Sequence, residues 1–192
     1  MMANSKTRLE ISTLLPGTVL VAHPLLNSNF FTESVILIVE LHKKTYKGLV
    51  VNKQTPYQVK EAIEECKQAY SGHSFLFGGG PINPSSLIML HSNEWFSSNT
   101  MAVNQELSIS SDSSMVDKLS IDNLPMNYKV IAGICQWSDA QLRRELSSTN
   151  QKHPKWLLLE NYNSELLFDP DIDSIWNTAI DYYSHAVFDQ YF

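Results

Sequence analysis

Short runs of Val, Ile and Leu separated by turn residues dominate the pattern of this chain. Three runs near the N-terminus, at 18–22, 34–41 and 48–52, predict strands, and their close spacing favours an antiparallel meander. Further runs predict strands over 74–77, 86–91, 106–110, 127–135 and 156–160. The pattern therefore predicts a protein built mainly from short strands.

Helical periodicity marks four other segments. Apolar residues spaced by three or four positions from Val59 to Tyr70 predict a helix that has Thr55 as its N-cap and Pro56 in its first turn. The other three predicted helices begin at or just after Asp112, Ser138 and Ile172. Because the strands and helices do not alternate as βαβ units, the pattern predicts an α+β fold rather than a doubly wound one.

Composition excludes several classes of protein. The chain has 192 residues, 43% of them hydrophobic, which is enough for one sizeable core and argues against a fibrous or disordered protein. Its formal net charge is −6 and its basic residues are scattered, so direct nucleic-acid binding is disfavoured. Two cysteines are typical of a reducing compartment. The polar N-terminus and the absence of a long apolar run predict a cytoplasmic protein with no membrane segment.

The glycine-rich turn Gly78-Gly79-Gly80-Pro81 is the most conspicuous local motif. Glycine backbone can approach a phosphate closely, but Pro81 and Pro84 resist the helix that a phosphate loop requires. The motif is therefore either a tight turn between strands or a ligand site.

The other reactive side chains suggest little chemistry. The spacing of the six histidines and two cysteines matches no metal motif, so no metal and no cofactor are predicted. Cys135 precedes the helix capped by Ser138 and is the candidate reactive thiol, with burial as an apolar filler as the alternative. Trp95 and Phe96 form a candidate contact for a protein partner if their loop is open.

The order of several motifs resembles that of the YqgE/AlgH family, a bacterial family without an established activity. The resemblance extends from about Leu14 to the last helix and is carried by the segments 20–24, 31–35, 48–52, 79–82, 90–92, 133–142 and 166–169, together with Trp176. It implies one domain over residues 14–192, preceded by a polar extension over 1–13. It also implies a mainly antiparallel, bifurcated β-sheet folded into a pseudo-barrel with about four flanking helices.

The resemblance implies little about chemistry, because no catalytic residue or cofactor carries over. Residues that this chain shares with the family pattern are candidates for a ligand groove: Asn52, Gly79, Gly80, Pro81, His91, Trp137 and Gln141. The chain departs from the pattern near Trp137, where two glycines are absent and Arg143 replaces a carboxylate.

Two functions are therefore considered. The first is a non-enzymatic regulatory or interaction protein with an unidentified protein partner, in keeping with the label of transcriptional regulator that family members carry, although without direct DNA binding. The alternative is a binding protein or an enzyme that holds a small ligand or a phosphate in a groove near the glycine-rich turn.

Overall fold

The computed structural model describes residues 14–72, 74–147 and 152–191, and the predicted extension over residues 1–13 lies outside them. Ten strands form one mostly antiparallel sheet. The strands are β1 (Val19–Ala22), β2 (Val35–His42), β3 (Thr45–Val50), β4 (Gln54–Gln58), β5 (Phe75–Gly78), β6 (Ile82–Ser92), β7 (Met101–Ala102), β8 (Leu107–Ser110), β9 (Tyr128–Ser138) and β10 (Trp156–Leu159). The helices are α1 (Val59–Ala62), α2 (Cys66–Ala69), α3 (Ser113–Ser120), α4 (Asp139–Leu146) and α5 (Ile172–Tyr191), with a 3₁₀ turn over Ser164–Phe168.

The sheet divides at β9, which confirms the predicted bifurcated α+β fold. Its main path runs β10-β1-β2-β3-β9-β6-β8-β7. Along one edge of β9, the C-terminal half pairs antiparallel with β3 and the N-terminal half pairs parallel with β5. Strand β6 pairs along the other edge. The sheet forks because β3 and β5 occupy successive parts of the same edge of β9.

The central strands are buried on both faces. Val19 and Val21 pack in a cluster with α5, whereas Leu20 and Ala22 pack in a second cluster with Leu142 of α4. Since both faces of β1 are covered, its sequence is a continuous apolar run rather than an alternating one. A third cluster joins α1, α2 and α3 to the N-terminal half of β9.

The helix predicted from Pro56 is wrong at its start. Residues 54–58 are strand β4, where Gln54 and Gln58 pair with β5 and the Thr55 hydroxyl donates to the Leu76 carbonyl. Two single turns then replace one continuous helix because Ile63 has an extended backbone, with φ −119° and ψ 113°. The predicted apolar stripe is nevertheless buried, at Val59, Ile63, Cys66 and Tyr70.

Candidate functional site

An open cavity of about 400 Å³ lies between the loop after β1 and the junction of β9 with α4. Four of the predicted site residues line it: Pro81, Cys135, Trp137 and Gln141. Its remaining lining includes Leu26, Phe31, Ile82, Gln136, Glu145, Lys155 and Trp156. We refer to this space as the aromatic cavity.

Three aromatic rings meet in two nearly perpendicular contacts along the wall of the aromatic cavity. The Trp137 and Trp156 rings are 6.2 Å apart at an interplanar angle of 85°. Phe31 meets Trp156 at 5.5 Å and 87°. Edge-to-face contacts of this kind hold aromatic side chains in defined orientations. The cavity is therefore bounded by fixed, apolar planar surfaces.

The carboxylate of Glu145 holds the two indole rings in place. Its Oε2 accepts hydrogen bonds from the indole nitrogens of Trp156 at 2.8 Å and Trp137 at 3.1 Å. Its Oε1 accepts from the Gln141 amide at 3.1 Å and from Lys155 Nζ at 3.3 Å. Burial alone would raise the pKa of Glu145, but these donors and the charge of Lys155 lower it below its usual range. Glu145 therefore stays ionised and fully hydrogen-bonded.

The start of α4 positions this carboxylate, and the sequence correctly located that start. The Ser138 hydroxyl accepts a hydrogen bond from the Gln141 backbone N–H at 3.2 Å, which is an N-cap. The Gln141 side chain does not reach back to complete a capping box, because its amide donates to Glu145 instead. Gln141 and Glu145 are one helical turn apart, so both side chains face the cavity.

The glycine-rich turn lets the chain cross β9 at close range. A Cβ added to Gly79 would lie 2.4 Å from the Gly133 carbonyl oxygen, and one added to Gly80 would lie 2.2 Å from the Ile134 carbonyl carbon. Gly79 and Gly80 therefore pack against strand backbone and do not line the cavity, whereas Pro81 does. The geometry favours the turn interpretation of this motif.

The two polar residues expected in the same groove lie elsewhere, which corrects that expectation. The Asn52 side chain accepts from the Val35 N–H and donates to the Glu33 carbonyl, so it ties β2 to the chain after β3. His91 is buried near the other end of β9, opposite Tyr128. Neither residue lines the aromatic cavity.

His91 takes part in a buried hydrogen-bond relay. Its Nδ1 donates to the Ser92 carbonyl at 2.9 Å, which leaves Nε2 to accept from the Ser110 hydroxyl at 3.0 Å. Ser110 in turn is 2.7 Å from the Thr100 hydroxyl. Burial lowers the pKa of His91, so its neutral form is favoured. This arrangement resembles a nucleophile and base, but Ser110 and His91 are both buried away from the aromatic cavity.

The Cys135 thiol is buried rather than reactive. Its Sγ donates to the Gly79 carbonyl at 3.3 Å, and burial raises the pKa of the thiol to about 12. The thiolate, which is the nucleophile, is therefore strongly disfavoured near neutral pH. Of the two aromatic residues considered for a partner contact, Trp95 is buried and donates to Asn123, whereas Phe96 is 68% exposed.

Sequence reasoning missed Glu145, Lys155 and Lys129. Glu145 could have been found from its position four residues after Gln141 on a capped helix. Lys129 is buried on β9, where its Nζ donates to the Val51 carbonyl at 2.9 Å and lies 4.6 Å from the centre of the Phe77 ring. A lysine inside a predicted apolar strand is the signal that marks it.

The described residues contain no group of three or more His, Cys, Asp or Glu that could hold a metal ion. None of the helices within those residues is long and apolar enough to cross a membrane.

Comparison with known proteins places the chain in a family. A family model described as AlgH-like matches residues 19–186. A UPF0301 protein from Shewanella denitrificans is 28% identical over 169 residues, covering 86% of this chain and 89% of the relative. A UPF0301 protein from Aliivibrio salmonicida is 30% identical over 172 residues, covering 84% and 88%.

Solved structures show the same fold. The solution structure of the AlgH protein from Pseudomonas aeruginosa matches with a TM-score of 0.71 and 23% identity, covering 94% of this chain and 92% of that one. The crystal structure of a protein from Corynebacterium diphtheriae matches with a TM-score of 0.67 and 23% identity, covering 93% and 87%. Because the family model spans most of the sequence, and the fold agrees, this chain belongs to the AlgH-like family.

Proposed function

We propose that this protein is a non-enzymatic ligand-binding protein that holds a small molecule with a planar, largely apolar body in the aromatic cavity. The observation that carries the proposal is the pair of perpendicular contacts that Trp156 makes with Phe31 and Trp137, in which one ionised carboxylate orients both indoles. A volume of about 400 Å³ is within the usual range for small-molecule sites. Rings fixed before binding lose little conformational entropy when a ligand enters.

The state of the ionisable groups favours binding over catalysis. Glu145 accepts hydrogen bonds from four donors, so it lacks an unused acceptor position for proton transfer. Cys135 is held as a thiol by its raised pKa. A general base or a nucleophile needs a pKa near the working pH and access to the substrate. Neither group meets both conditions.

A regulatory role is compatible with the position of the cavity. One wall is the loop between β1 and β2, which contributes Leu26 and Phe31 to the cavity and exposes Leu25 and Phe30 to solvent. Occupancy of the cavity would change the packing of this loop. We propose that a protein partner senses that change, with no cofactor involved.

The proposal is tested by titrating the protein with indole while recording its ¹H–¹⁵N spectrum. The indole N–H signals of Trp137 and Trp156 should shift, whereas that of Trp95 should not, because Trp95 packs beside α3. Phe31→Ala should weaken binding about tenfold, the loss expected for one aromatic contact. Phe30→Ala is the matched control, since Phe30 contacts Phe31 but does not line the cavity.

Two results would contradict the proposal. One is the absence of any shift at millimolar indole. The other is an equal response to cyclohexanol, because a puckered aliphatic ring of similar size lacks the flat face that packs against an aromatic ring.

A further inference from the structure

The backbone N–H and C=O of Gln136 point away from β3, although Gln136 stands opposite Lys47 of that strand. The Asp139 N–H donates to the Lys44 carbonyl at 2.9 Å. In an antiparallel pair, hydrogen-bonded residues alternate with residues whose N–H and C=O point to the other side. Continuing the register from Asp139, the bonds of β9 to β3 come from Trp137 and Cys135. The N–H and C=O of Gln136 therefore face the opposite edge of β9.

The turn between β2 and β3 supports the same alternation. His42 and Thr45 pair across the two-residue turn Lys43-Lys44, where both φ angles are positive. Residues that flank such a turn form a hydrogen-bonded pair, so Thr45 and then Lys47 direct their backbone groups toward β2. Lys47 stands opposite Gln136. It therefore leaves the backbone of Gln136 without a bond from β3.

Among the strands that the structure describes, none covers this part of the opposite edge. The pairing of β6 with β9 ends at Ile82 and Ile134, among the residues that the structure describes. The chain cannot continue the pairing beyond Ile82, because Gly80 packs directly onto the peptide that joins Ile134 to Cys135. The N–H and C=O of Gln136 consequently form a short open edge of the sheet.

This open edge borders the aromatic cavity. Gln136 and Ile82 line that cavity, and both also line a second, adjacent cavity of about 340 Å³. A planar ligand lying between the aromatic walls can therefore present its own edge to the Gln136 backbone. One N–H and one C=O on the same residue match a ring that carries a donor and an acceptor on adjacent atoms.

We propose that the Gln136 backbone recognises a planar ring with an adjacent N–H and C=O, which is the edge of a lactam or of a nucleobase. The inference rests on the proposed function and names the ligand class of the same cavity. Glu145 and Lys155 are the charged residues of the lining and are paired with each other, so their charges cancel. An uncharged ring is therefore favoured over an anion or a cation.

The test uses two probes and two variants. The probes are 2-quinolinone and 1-methyl-2-quinolinone, which share a bicyclic ring but differ in the N–H donor. Gln136→Pro removes the backbone N–H, and an edge strand tolerates proline where that N–H is not paired. Gln136→Ala is the matched control because it keeps the backbone and removes only the side chain. Affinity is measured by calorimetry, and folding by circular dichroism.

We expect 2-quinolinone to bind the natural protein and Gln136→Ala about tenfold more tightly than 1-methyl-2-quinolinone, because the ring N–H adds one hydrogen bond to the Gln136 carbonyl. Gln136→Pro keeps the carbonyl that accepts from the ring N–H, so it should keep this preference, but it should bind both probes about tenfold more weakly because it cannot donate to the C=O that they share. The Gln136 amide signal should also move downfield on addition of 2-quinolinone, a measurement that does not depend on the folding of Gln136→Pro.

Failure of this inference and failure of the proposed function would give different results. Equal affinity for the two probes in the natural protein, with no movement of the Gln136 amide, would overturn this inference and leave the aromatic cavity as a ligand site. No binding of either probe, together with no response to indole, would overturn the proposed function as well.

Discussion

Glu145 shows how one side chain organises a site. Two buried indole groups, an amide and an ammonium all donate to its two oxygens. Removing the carboxylate would leave the indole N–H groups of Trp137 and Trp156 buried without an acceptor. An unsatisfied buried donor costs more free energy than a typical hydrogen bond contributes.

We predict that Glu145→Ala lowers the free energy of unfolding by about 2–4 kcal/mol, as measured by urea denaturation. Glu64→Ala is the control, because Glu64 is exposed in a surface ion pair with Lys67 and should cost under about 0.5 kcal/mol. The pKa of Glu145 is below its ordinary value of 4.5. The stability that the ionised carboxylate contributes is therefore complete above pH 4.5 and is lost as the pH falls through the folded-state pKa. Equal acid sensitivity in Glu145→Ala and the natural protein would contradict this account.

We predict a second pH dependence from Lys129, whose pKa is lowered by burial rather than by hydrogen bonds. Burial lowers the pKa of Lys129 from 10.5 to about 7, against the opposing charge of Asp169. Above pH 7 the folded protein has released a proton that the unfolded chain still holds, so stability should rise from pH 7 to about 8.5. Above that range, the raised pKa of Cys135 acts in the other direction.

The measurement is urea denaturation at several pH values between 7 and 8.5. Lys129→Met should reduce the slope of stability against pH, because the titrating group is removed. Lys67→Met, at an exposed position, should keep it. The same slope in all three proteins would rule out Lys129 as its source.

At the level of elements, the crossing of Gly79 and Gly80 over β9 creates both the fork of the sheet and the open edge. The Gly79 N–H donates to the Ala132 carbonyl and the Gly79 carbonyl accepts from Val50, so Gly79 bridges the strands where they separate. Gly80 then packs on the β9 backbone. Two residues without side chains therefore determine where β6 begins.

We predict that Gly80→Ala destabilises the fold by about 1–3 kcal/mol, because the added methyl group would overlap backbone atoms of Ile134 and Cys135. Gly78→Ala is the matched control two residues earlier. There the nearest atoms to an added Cβ are 3.8 and 3.9 Å away, which is ordinary contact. Thermal unfolding of both variants provides the comparison, and equal melting temperatures would contradict the crossing geometry.

The elements also show where local sequence was sufficient. The sequence predicts the start of α3 at Asp112 and the cap of α4 at Ser138, and both side chains accept a backbone N–H as N-caps. The start of α1 is predicted wrongly, because Thr55 and Pro56 match a helix N-terminus locally, whereas Gln54 and Gln58 on either side of them pair with β5. Pairing with a strand some twenty residues away outweighed a weak local preference.

At the scale of the whole molecule, β9 contacts three other strands and should be the last element to open. We predict that amide hydrogen exchange is slowest along β9 and faster in β4, β7 and β10 at the margins of the sheet. Within β9, the Gln136 amide should exchange at least about tenfold faster than those of Cys135 and Trp137, because it has no bond to β3. Uniform protection from Cys135 to Trp137 would contradict the open edge.

The sequence by itself determined the fold class, most strands, two helix caps and the last helix, since these depend on apolar periodicity and on short-range hydrogen bonds. It also indicated Pro81, Cys135, Trp137 and Gln141, all of which line the aromatic cavity. Only the tertiary structure separated Asn52 and His91 from them, brought Glu145 against two indoles, and left the Gln136 backbone without a partner strand. Each of these depends on strand order and register, which long-range packing decides and no local window of sequence contains.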